Sequence, residues 1–324
     1  MKKLEVDKIK VIQAPLAGIS DIVYRGLIRE FGGKNTLLTT EMISSEAINQ
    51  VFEQNIIKFE PFEYPLSFQI VGHKPHLMAK AAKMLEDRAS VIDINCGCPV
   101  NKIVKGQDGS GLMRNLPLAK EVVKAVREAI KIPLSVKFRL GWSQEEKNYI
   151  EFAKMLEGEG VDFITMHART RVQMYSGSAS WDEIRKLKEA VKIPVFANGD
   201  ITTIEDVKKV IEQTGADGVA VGRAFVGDFT FPYRIEKFFE TGEIIEEPTL
   251  IEKIEMLKKH IEGEITYRGN INGIKFMRKF YPYYISSVKN ASKLRSKLVL
   301  LETKEEVYKV LDDALCLHAS LWKQ

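Results

Sequence analysis

Three side chains able to hold or transfer a proton lie near the ends of apolar segments: Cys98, Lys137 and His167. Cys98 lies in DINCGCPVNK, between Gly97 and Pro99, so we expect it in a loop. A thiol there can act as a nucleophile, or as a proton donor if it stays protonated at the working pH. His167 can be a base, a ligand contact or a satisfied core histidine, and its sequence context favours none of these.

Lys137 lies in VKFRLGW, where a strand should point apolar residues inward. A buried ammonium group needs an anionic partner. Two roles are open: a Schiff base of an aldolase, or stabilisation of negative charge on a bound ring. The other cysteines, Cys96 and Cys316, are predicted to be small buried packing residues. No His, Cys and carboxylate residues cluster at metal-ligand spacing in the sequence, so we predict no metal site.

Short apolar segments alternate with segments of helical period from residue 9 to 240, which is typical of repeated βα units. Eight such units are the size of a (β/α)8 TIM barrel. An open doubly wound sheet is disfavoured because the first strand ends in APLAG and not in GxGxxG. The predicted strands are 11–14, 36–40, 65–70, 91–95, 133–138, 163–167, 194–198 and 218–221. The predicted helices are 21–31, 75–87, 117–130, 145–157, 181–191, 203–213 and 229–239.

The pattern changes near Pro248 to helical segments without strands. We therefore predict two domains, a catalytic barrel over residues 1–245 and a small all-helical domain over residues 246–324. The predicted helices of the second domain are 250–264, 274–284, 292–301 and 304–322.

Polar residues at the carboxyl ends of the strands face the mouth of a TIM barrel, where active sites lie. The predicted strand-end residues include Pro15, Ala17, Glu41, Gln69, Asn95, Cys98, Lys137, Arg139, His167, Arg169, Asn198, Asp200, Gly222 and Arg223. The last two strand ends, NGDI and VGRA, are typical of a phosphate site. Gly199 and Gly222 let the backbone approach the phosphate, and the guanidinium of Arg223 adds positive charge and hydrogen-bond donors. The alternative is that these glycines only relieve tight turns.

The basic residues are concentrated in the C-terminal part of the chain. The whole sequence has a net charge of +4, but residues 248–324 hold 14 Lys and Arg against 9 Asp and Glu. The segment 268–301 holds eight basic residues and no acidic one. This asymmetry predicts a polyanionic partner. Aromatic residues interleave with the charges, and helical spacing favours core packing for Phe276 and Phe280.

Composition excludes several classes of protein. Hydrophobic residues make up 45% and charged residues 28% of the 324 residues, a balance that argues against a disordered or fibrous chain. No apolar segment approaches the length of a membrane span, and the N-terminal MKKLEVDKIKV does not read as a signal peptide. Three cysteines fit a reducing compartment better than secretion. We therefore predict a cytoplasmic protein that does not associate with a membrane and has no obligate protein partner.

Eight segments, in order and at sensible spacing, together resemble the tRNA-dihydrouridine synthases, flavin-dependent enzymes that reduce uridine in tRNA. The segments are APLAGISD at 14–21, FQIVG at 68–72, DINCGCPVNK at 93–102, GSGL at 109–112, VKFRLGW at 136–142, HARTR at 167–171, ANGDI at 197–201 and VGRA at 221–224. FMRKFYPYY at 276–284, followed by Arg295, resembles the family's helical segment. The chain is most similar to the bacterial B-type subfamily.

The resemblance implies FMN as cofactor, NADPH or NADH as reductant and tRNA as partner. It implies hydride transfer from reduced FMN to C6 of uracil and protonation of C5 by Cys98. The residues implied to hold FMN are Pro15, Leu16, Ala17, Gln69, Lys137, His167, Asn198, Gly199, Asp200, Gly222 and Arg223. Asn95, Arg169 and Arg171 are expected to orient the uracil. The other residues predicted to bind tRNA are Lys102, Arg139, Arg278, Lys279 and Arg295.

Two departures from the family pattern stand out. Leu16 replaces a frequent methionine, which conserves volume. Gln107 and Asp108 follow the cysteine where a small residue is common, and an acid facing RNA phosphates is unfavourable. Three alternatives are a flavin barrel acting on a free small molecule, like dihydroorotate dehydrogenase or an ene-reductase, a non-catalytic tRNA-binding protein, and a phosphosugar aldolase.

Overall fold

The computed structural model describes residues 4–50, 58–104 and 106–321, with backbone only for Lys102 and for residues 317–321. Nine strands form over these residues. They are β1 (Val11–Gln13), β2 (Leu38–Thr39), β3 (Ile43–Ser44), β4 (Leu66–Val71), β5 (Val91–Cys96), β6 (Leu134–Arg139), β7 (Phe163–His167), β8 (Val195–Asn198) and β9 (Gly218–Val221).

Eight of the strands form a parallel barrel. Their order is β1-β9-β8-β7-β6-β5-β4-β2, and β3 pairs with the end of β4. The circle closes between β1 and the residue before β2, because Leu37 donates its N–H to Val11 at 2.9 Å and accepts the N–H of Gln13 at 2.9 Å. The predicted TIM barrel is confirmed, and the short β3 is an addition that the sequence did not predict.

Fourteen α-helices form over the described residues. They are α1 (Ile22–Glu30), α2 (Ser45–Gln50), α3 (Pro75–Leu85), α4 (Asn101–Val104), α5 (Leu116–Ala129), α6 (Tyr149–Gly158), α7 (Trp181–Ala190), α8 (Ile204–Thr214), α9 (Phe231–Thr241), α10 (Leu250–Arg268), α11 (Asn270–Met277), α12 (Tyr281–Tyr284), α13 (Ala291–Leu298) and α14 (Lys304–Leu321).

Two helix predictions need correction. The predicted helix 145–157 begins only at Tyr149, because Gly141 pairs with Lys147 in a β-bridge and holds the preceding residues in a turn. The predicted helix 274–284 is two helices, α11 and α12, since Pro282 lacks the N–H that a helix interior needs and is tolerated in a first turn. The C-terminal segment therefore has five helices instead of four. The predicted end of the last helix at Trp322 lies outside the described residues.

The barrel interior is apolar at one end and polar at the other. An apolar cluster closes the amino end, with Phe163 packed edge-on against Phe196 at 5.4 Å between ring centroids. Its buried members are Ile9, Ile12, Leu37, Val91, Phe163, Phe196 and Ala220. Towards the carboxyl end, β4, β5 and β6 carry buried polar side chains, among them Gln69, Asp93 and Ser135. The polar end is therefore the carboxyl end of the strands, where the active site of a TIM barrel lies.

The described chain divides into two compact units. The first comprises residues 1–22 and 35–222 and contains the whole barrel sheet; the second comprises residues 23–34 and 223–324. Helices α9 to α14 belong to the second unit, as does most of α1. The sequence-based division after residue 245 leaves α9 with the barrel, so the two partitions differ at this helix.

The second unit has an aromatic core of its own. Phe280 and Tyr284 are fully buried, and the ring of His260 packs on Phe280 at 4.6 Å. His260 Nδ1 also lies 2.9 Å from the Tyr284 hydroxyl. The expectation that Phe280 packs in a core is confirmed, whereas Phe276 is only half-buried.

Candidate active site

Cys98 lies just after β5, in a loop held from both sides. The side-chain oxygen of Asn95 accepts the N–H of Cys98 at 2.9 Å and that of Gly97 at 3.1 Å. The Cys98 carbonyl accepts the Ser110 N–H at 3.1 Å and the Ser110 hydroxyl at 2.9 Å. The thiol is partly exposed, so a fixed backbone presents it at the carboxyl end of the barrel.

Gly109 allows this packing. Its φ of +56° lies in the left-handed region, and a Cβ at this position would lie 2.9 Å from the Cys98 carbonyl oxygen and 3.0 Å from Cys98 Cβ. Neither contact is tolerable for a side chain. The glycine of the GSGL motif is therefore required by the close approach of the 3-10 helix Gly109–Arg114 to the cysteine.

A chain of buried polar side chains runs from the barrel interior to the cysteine loop. Ser135 donates its hydroxyl to Asp93 at 2.6 Å, and Gln69 Nε2 donates to the same carboxylate at 2.6 Å. Gln69 Oε1 accepts from Asn95 Nδ2 at 2.7 Å. Burial raises the pKa of Asp93 above its usual range, while both hydrogen bonds oppose that rise. Sequence reasoning missed Asp93 and Ser135, although a carboxylate in the middle of an apolar strand was a visible signal.

Lys137 projects from β6 beside this chain. Within the described residues its ammonium makes no hydrogen bond or ion pair. Burial lowers the pKa of Lys137 to about 8, and Arg139 lowers it further, whereas Asp93 and Cys98 act in the opposite direction. The ammonium is thus a desolvated cation close to Cys98, free to meet an anion.

Arg139 is almost fully buried and holds neighbouring loops. Its guanidinium donates to the carbonyls of Gly97 at 2.8 Å, Thr170 at 3.0 Å and Met174 at 2.8 Å. The ring of Tyr175 lies 5.7 Å from it. Burial lowers the pKa of Arg139 to about 10, which still leaves it charged at neutral pH. Arg139 therefore links the loop of Cys98 to the loop after β7, and the predicted contact with substrate stays a prediction.

After β7 and β8, the buried Arg169 forms an ion pair with the partly exposed Asp200. Arg169 Nη2 lies 2.7 Å from both carboxylate oxygens of Asp200 and 2.7 Å from the Gly177 carbonyl. Its Nη1 lies 3.2 Å from His167 Nε2. The residue predicted to orient the uracil and the acid predicted to bind phosphate thus contact each other, and together they fix the side of the mouth next to His167.

The predicted phosphate residues lie at the ends of β8 and β9. Asn198 Nδ2 donates to the Ala220 carbonyl at 2.6 Å, which joins the two strand ends. Gly199 has φ +121°, and a Cβ there would lie 2.7 Å from Ala179 Cβ and 3.1 Å from the His167 ring, so only glycine fits. A Cβ on Gly222 would reach 3.4 Å from Leu16, an ordinary contact. Arg223 is exposed and begins a short 3-10 helix in the other compact unit.

The first strand end makes a tight turn. The Leu16 carbonyl accepts the N–H groups of Ile19 at 3.0 Å and Ser20 at 2.9 Å, and the Ser20 hydroxyl accepts the Leu16 N–H at 3.0 Å. The side chain of Glu41 accepts the N–H of Gly18. Pro15 and Leu16 are half-buried and Ala17 is exposed, so the turn presents apolar atoms beside Gly222.

A Trp142 indole joins three loops at the mouth. The guanidinium groups of Arg114 and Arg171 each lie 4.6 Å from the centre of its ring. Arg171 also donates to the side chain of Asn101 at the start of α4. Sequence reasoning named Arg171 but missed Trp142 and Arg114. The side chain of Lys102, another predicted RNA contact, lies outside the described part of the chain.

Asp108 does not project freely from the cysteine loop. Its carboxylate lies 2.8 Å from His73 Nδ1, and both side chains are about three-quarters buried. The acid expected to face RNA phosphates is therefore held by an imidazole on a neighbouring loop.

The predicted RNA contacts of the helical unit differ in exposure. Lys279 is exposed and its ammonium lies 3.5 Å from the Phe276 ring, whereas Arg278 is half-buried and donates to the Leu301 carbonyl at 3.4 Å. Arg295 is half-buried in the last turn of α13. Among the cysteines, Cys96 is fully buried as predicted, but the prediction for Cys316 is wrong, because it lies on the exposed face of α14.

Metal-binding clusters and membrane-spanning helices are both absent from the described residues. These residues contain no group of three or more His, Cys, Asp or Glu side chains placed to hold a metal ion. None of their helices combines the length and apolar character needed to cross a membrane.

Comparisons with known proteins identify the family. The family model described as Dihydrouridine synthase matches residues 12–320. The chain is 39% identical over 308 residues, 94% of this chain and 86% of the relative, to a Synechocystis protein named Probable tRNA-dihydrouridine synthase 1. It is 36% identical over 295 residues, 90% of this chain and 87% of the relative, to tRNA-dihydrouridine synthase B of Pseudomonas putida. The solved structure of histamine dehydrogenase from Rhizobium shares the fold, with 13% identity and a TM-score of 0.53 over 86% of this chain and 50% of that one. The chain therefore belongs to the dihydrouridine synthase family.

Proposed function

We propose that this protein reduces uridine in tRNA to 5,6-dihydrouridine with FMN as cofactor and NADPH or NADH as reductant. The observation that carries the proposal is the fixed, partly exposed Cys98 thiol near the half-buried Lys137 and the buried Arg139 at the mouth of a TIM barrel. Family membership supports the same reaction. The cytoplasmic location stays a prediction.

The residues present fit a flavin mononucleotide. Lys137 offers a desolvated ammonium without a hydrogen-bond partner among the described residues, which suits the negative charge of a reduced flavin ring. Gly199 packs against Ala179 and His167 with no room for a Cβ, which holds the backbone at the end of β8, one of the two predicted phosphate strand ends, next to His167. The apolar turn at Pro15 and Leu16 would pack against the ring, and His167, Gln69 and the strand ends at Asn198 and Gly222 would complete the site. Bound FMN supplies the hydride that C6 of uracil receives.

Cys98 supplies the proton. Hydride addition at C6 leaves negative charge at C5 and on the adjacent carbonyl, and the Cys98 S–H bond breaks as its proton moves to C5. Solvent then returns a proton to the sulfur. Lys137 and Arg139 favour this step, because two nearby cations stabilise the thiolate that it leaves.

Asn95 is suited to bind the uracil. Its oxygen is occupied by two backbone N–H groups, but one of its two Nδ2 hydrogens remains after the bond to Gln69. That hydrogen can be donated to a uracil carbonyl. Arg139 and Arg169 donate mainly to protein acceptors, so we infer that they contribute by holding the loops and by their positive field.

The target base must leave the RNA stack to reach the barrel mouth, which costs a few kcal/mol. Binding of the surrounding RNA has to offset that cost. The exposed Lys279 and the neighbouring Arg278 and Arg295 provide positive charge for phosphates on the helical unit. Most aromatics of that segment are buried, which leaves Tyr283 as an exposed ring for contacts with bases.

The test is nucleoside mass spectrometry of unmodified tRNA incubated with the purified protein, FMN and NADPH. We expect dihydrouridine with the wild type and with Cys316→Ala, a matched control that removes the exposed cysteine. We expect a loss of at least about a hundredfold with Cys98→Ala, the usual scale for general acid catalysis. Reduction of free uridine or orotate without any product on tRNA would contradict the proposal and favour a small-molecule flavoenzyme.

A further inference from the structure

Asp93 is a buried carboxylate whose part in the site is unassigned. It lies in the middle of β5, 6% exposed, below the residues that would contact flavin or uracil. Its hydrogen-bond partners are Ser135 and Gln69, both at 2.6 Å. Burying a carboxylate costs free energy of folding unless hydrogen bonds or a nearby charge compensate for the lost contact with water.

The hydrogen bonds around Asp93 form a chain with a direction. Asp93 accepts on both of its oxygens, one from the Ser135 hydroxyl and the other from Gln69, so the side of Gln69 that faces it is the NH2 group. The oxygen of Gln69 then faces Asn95 and accepts from its NH2 group. The oxygen of Asn95 in turn faces the backbone N–H groups of Gly97 and Cys98, which only donate.

Each amide could be rotated by half a turn without a change of shape, and only the ends of the chain decide its orientation. The carboxylate at one end and the backbone N–H groups at the other end agree on the same orientation of both amides. If Gln69 turned over, its NH2 group would face the NH2 group of Asn95. If Asn95 followed, its NH2 group would face the N–H of Cys98, and the loop would lose both of its bonds to this side chain.

We propose that Asp93 is a positioning residue that sets the orientation of the Gln69 and Asn95 amides and thereby fixes the backbone of Cys98. The cysteine loop is thus held from inside the barrel by a carboxylate three hydrogen bonds away. This inference rests on the proposed function only in giving Cys98 the role of proton donor. The bonding chain itself can be tested without turnover.

Three variants separate this role from packing. Asp93→Leu removes the acceptor of Gln69 Nε2, so that only the backbone N–H groups of Gly97 and Cys98 still hold the direction of the chain. Asp93→Asn can keep its oxygen towards Gln69 and turn its NH2 group to Ser135, whose hydroxyl can rotate to accept. Ser135→Ala removes the other partner of Asp93 and leaves the chain to Cys98 intact. If Asp93→Leu does not fold, Asp93→Ser replaces it, because a hydroxyl both donates and accepts and imposes no direction.

The first measurement is made on protein freed of flavin. Hydrogen exchange at the Cys98 amide and the rate of Cys98 alkylation, followed by peptide mass spectrometry, report the state of the loop. We expect both rates to rise about tenfold in Asp93→Leu, the scale of one lost hydrogen bond. In Asp93→Asn and Ser135→Ala we expect rates close to the wild type. Unchanged rates in Asp93→Leu, or equal changes in all three variants, would overturn the inference.

The second measurement is the rate of tRNA reduction at saturating tRNA. We expect Asp93→Leu to lower kcat with little change in KM, since the position of the proton donor is disturbed and RNA binding is not. Asp93→Asn should have a kcat close to that of the wild type. A change confined to KM would contradict a positioning role. If the wild type makes no dihydrouridine, the proposed function fails, whereas the exchange and alkylation rates still decide the role of Asp93.

Discussion

Replacing Lys137 by methionine should stabilise the protein while it removes activity. Burial and the Arg139 charge lower the pKa of Lys137 from its ordinary value of 10.5 to about 8. Folding therefore disfavours the ammonium form, and below pH 8 the folded protein carries this cost in full. At about 1.36 kcal/mol per pH unit, the cost amounts to roughly 3 kcal/mol. Methionine has a similar length and no charge, so Lys137→Met should recover most of it.

The sign of the pH dependence follows from linkage. Between pH 8 and 10.5 the unfolded chain binds the lysine proton and the folded protein has lost it, so the wild type gains stability as the pH rises through this range. The advantage of Lys137→Met should therefore shrink from roughly 3 kcal/mol near pH 7 to about 1 kcal/mol near pH 9.5.

The assay is urea unfolding of flavin-free wild type and Lys137→Met at the two pH values. Lys209→Met is the matched control, because Lys209 lies half exposed on α8 in a surface ion pair with Glu205. We expect the control to change stability by no more than about 0.5 kcal/mol at either pH. A destabilised Lys137→Met, or an advantage that does not fall with pH, would refute the reasoning. The same variant should also lose flavin and form no dihydrouridine.

Three further predictions concern the loops and the helical unit. Gly109→Ala should retain flavin and lose at least about tenfold in the rate of tRNA reduction, because its Cβ would displace Cys98. Gly158→Ala is the control: the space around its Cβ is open, so it should keep its activity and raise the free energy of unfolding by about 0.5–1 kcal/mol. Equal rates of tRNA reduction in the two variants would contradict this. Arg169→Lys loses the guanidinium that contacts Asp200 and the carbonyls of Ser176 and Gly177 together, so limited proteolysis at 172–177 should become faster. An unchanged cleavage rate would refute the role of this arginine. Lys279→Ala should weaken tRNA binding and lower the salt dependence of its affinity by about one phosphate contact, as measured by anisotropy titration; an unchanged salt slope would show that this lysine does not meet a phosphate.

The sequence alone determined the barrel and the family. Alternation of apolar segments with helical periods gives eight βα units, because each strand and helix must bury one face. Strand ends matched within about two residues at most positions, since a strand's apolar run is a local property. The motifs around Cys98, Lys137 and Asn198 predicted the family that the comparisons confirm.

The partners of the polar residues were decided only by the tertiary structure. The sequence predicted that Arg139 contacts the RNA and that Arg169 orients the uracil, but it did not predict that both donate to carbonyls or carboxylates far along the chain. Asp108 read as an unfavourable acid and is held by His73. Nothing in local sequence specifies these contacts, because loops after different strands meet only when the barrel closes.

The same reason explains Asp93 and Cys316. A carboxylate in an apolar strand signals an unusual interior, but its bond to Gln69 depends on the register between β4 and β5. The exposure of Cys316 depends on which face of α14 the other helices cover. Residue types and spacing thus determine which elements form and which chemistry is available. The closure of the barrel and the packing of the helices decide which side chains stay free to use it, because hydrogen bonds and burial are set by neighbours that are distant in the chain.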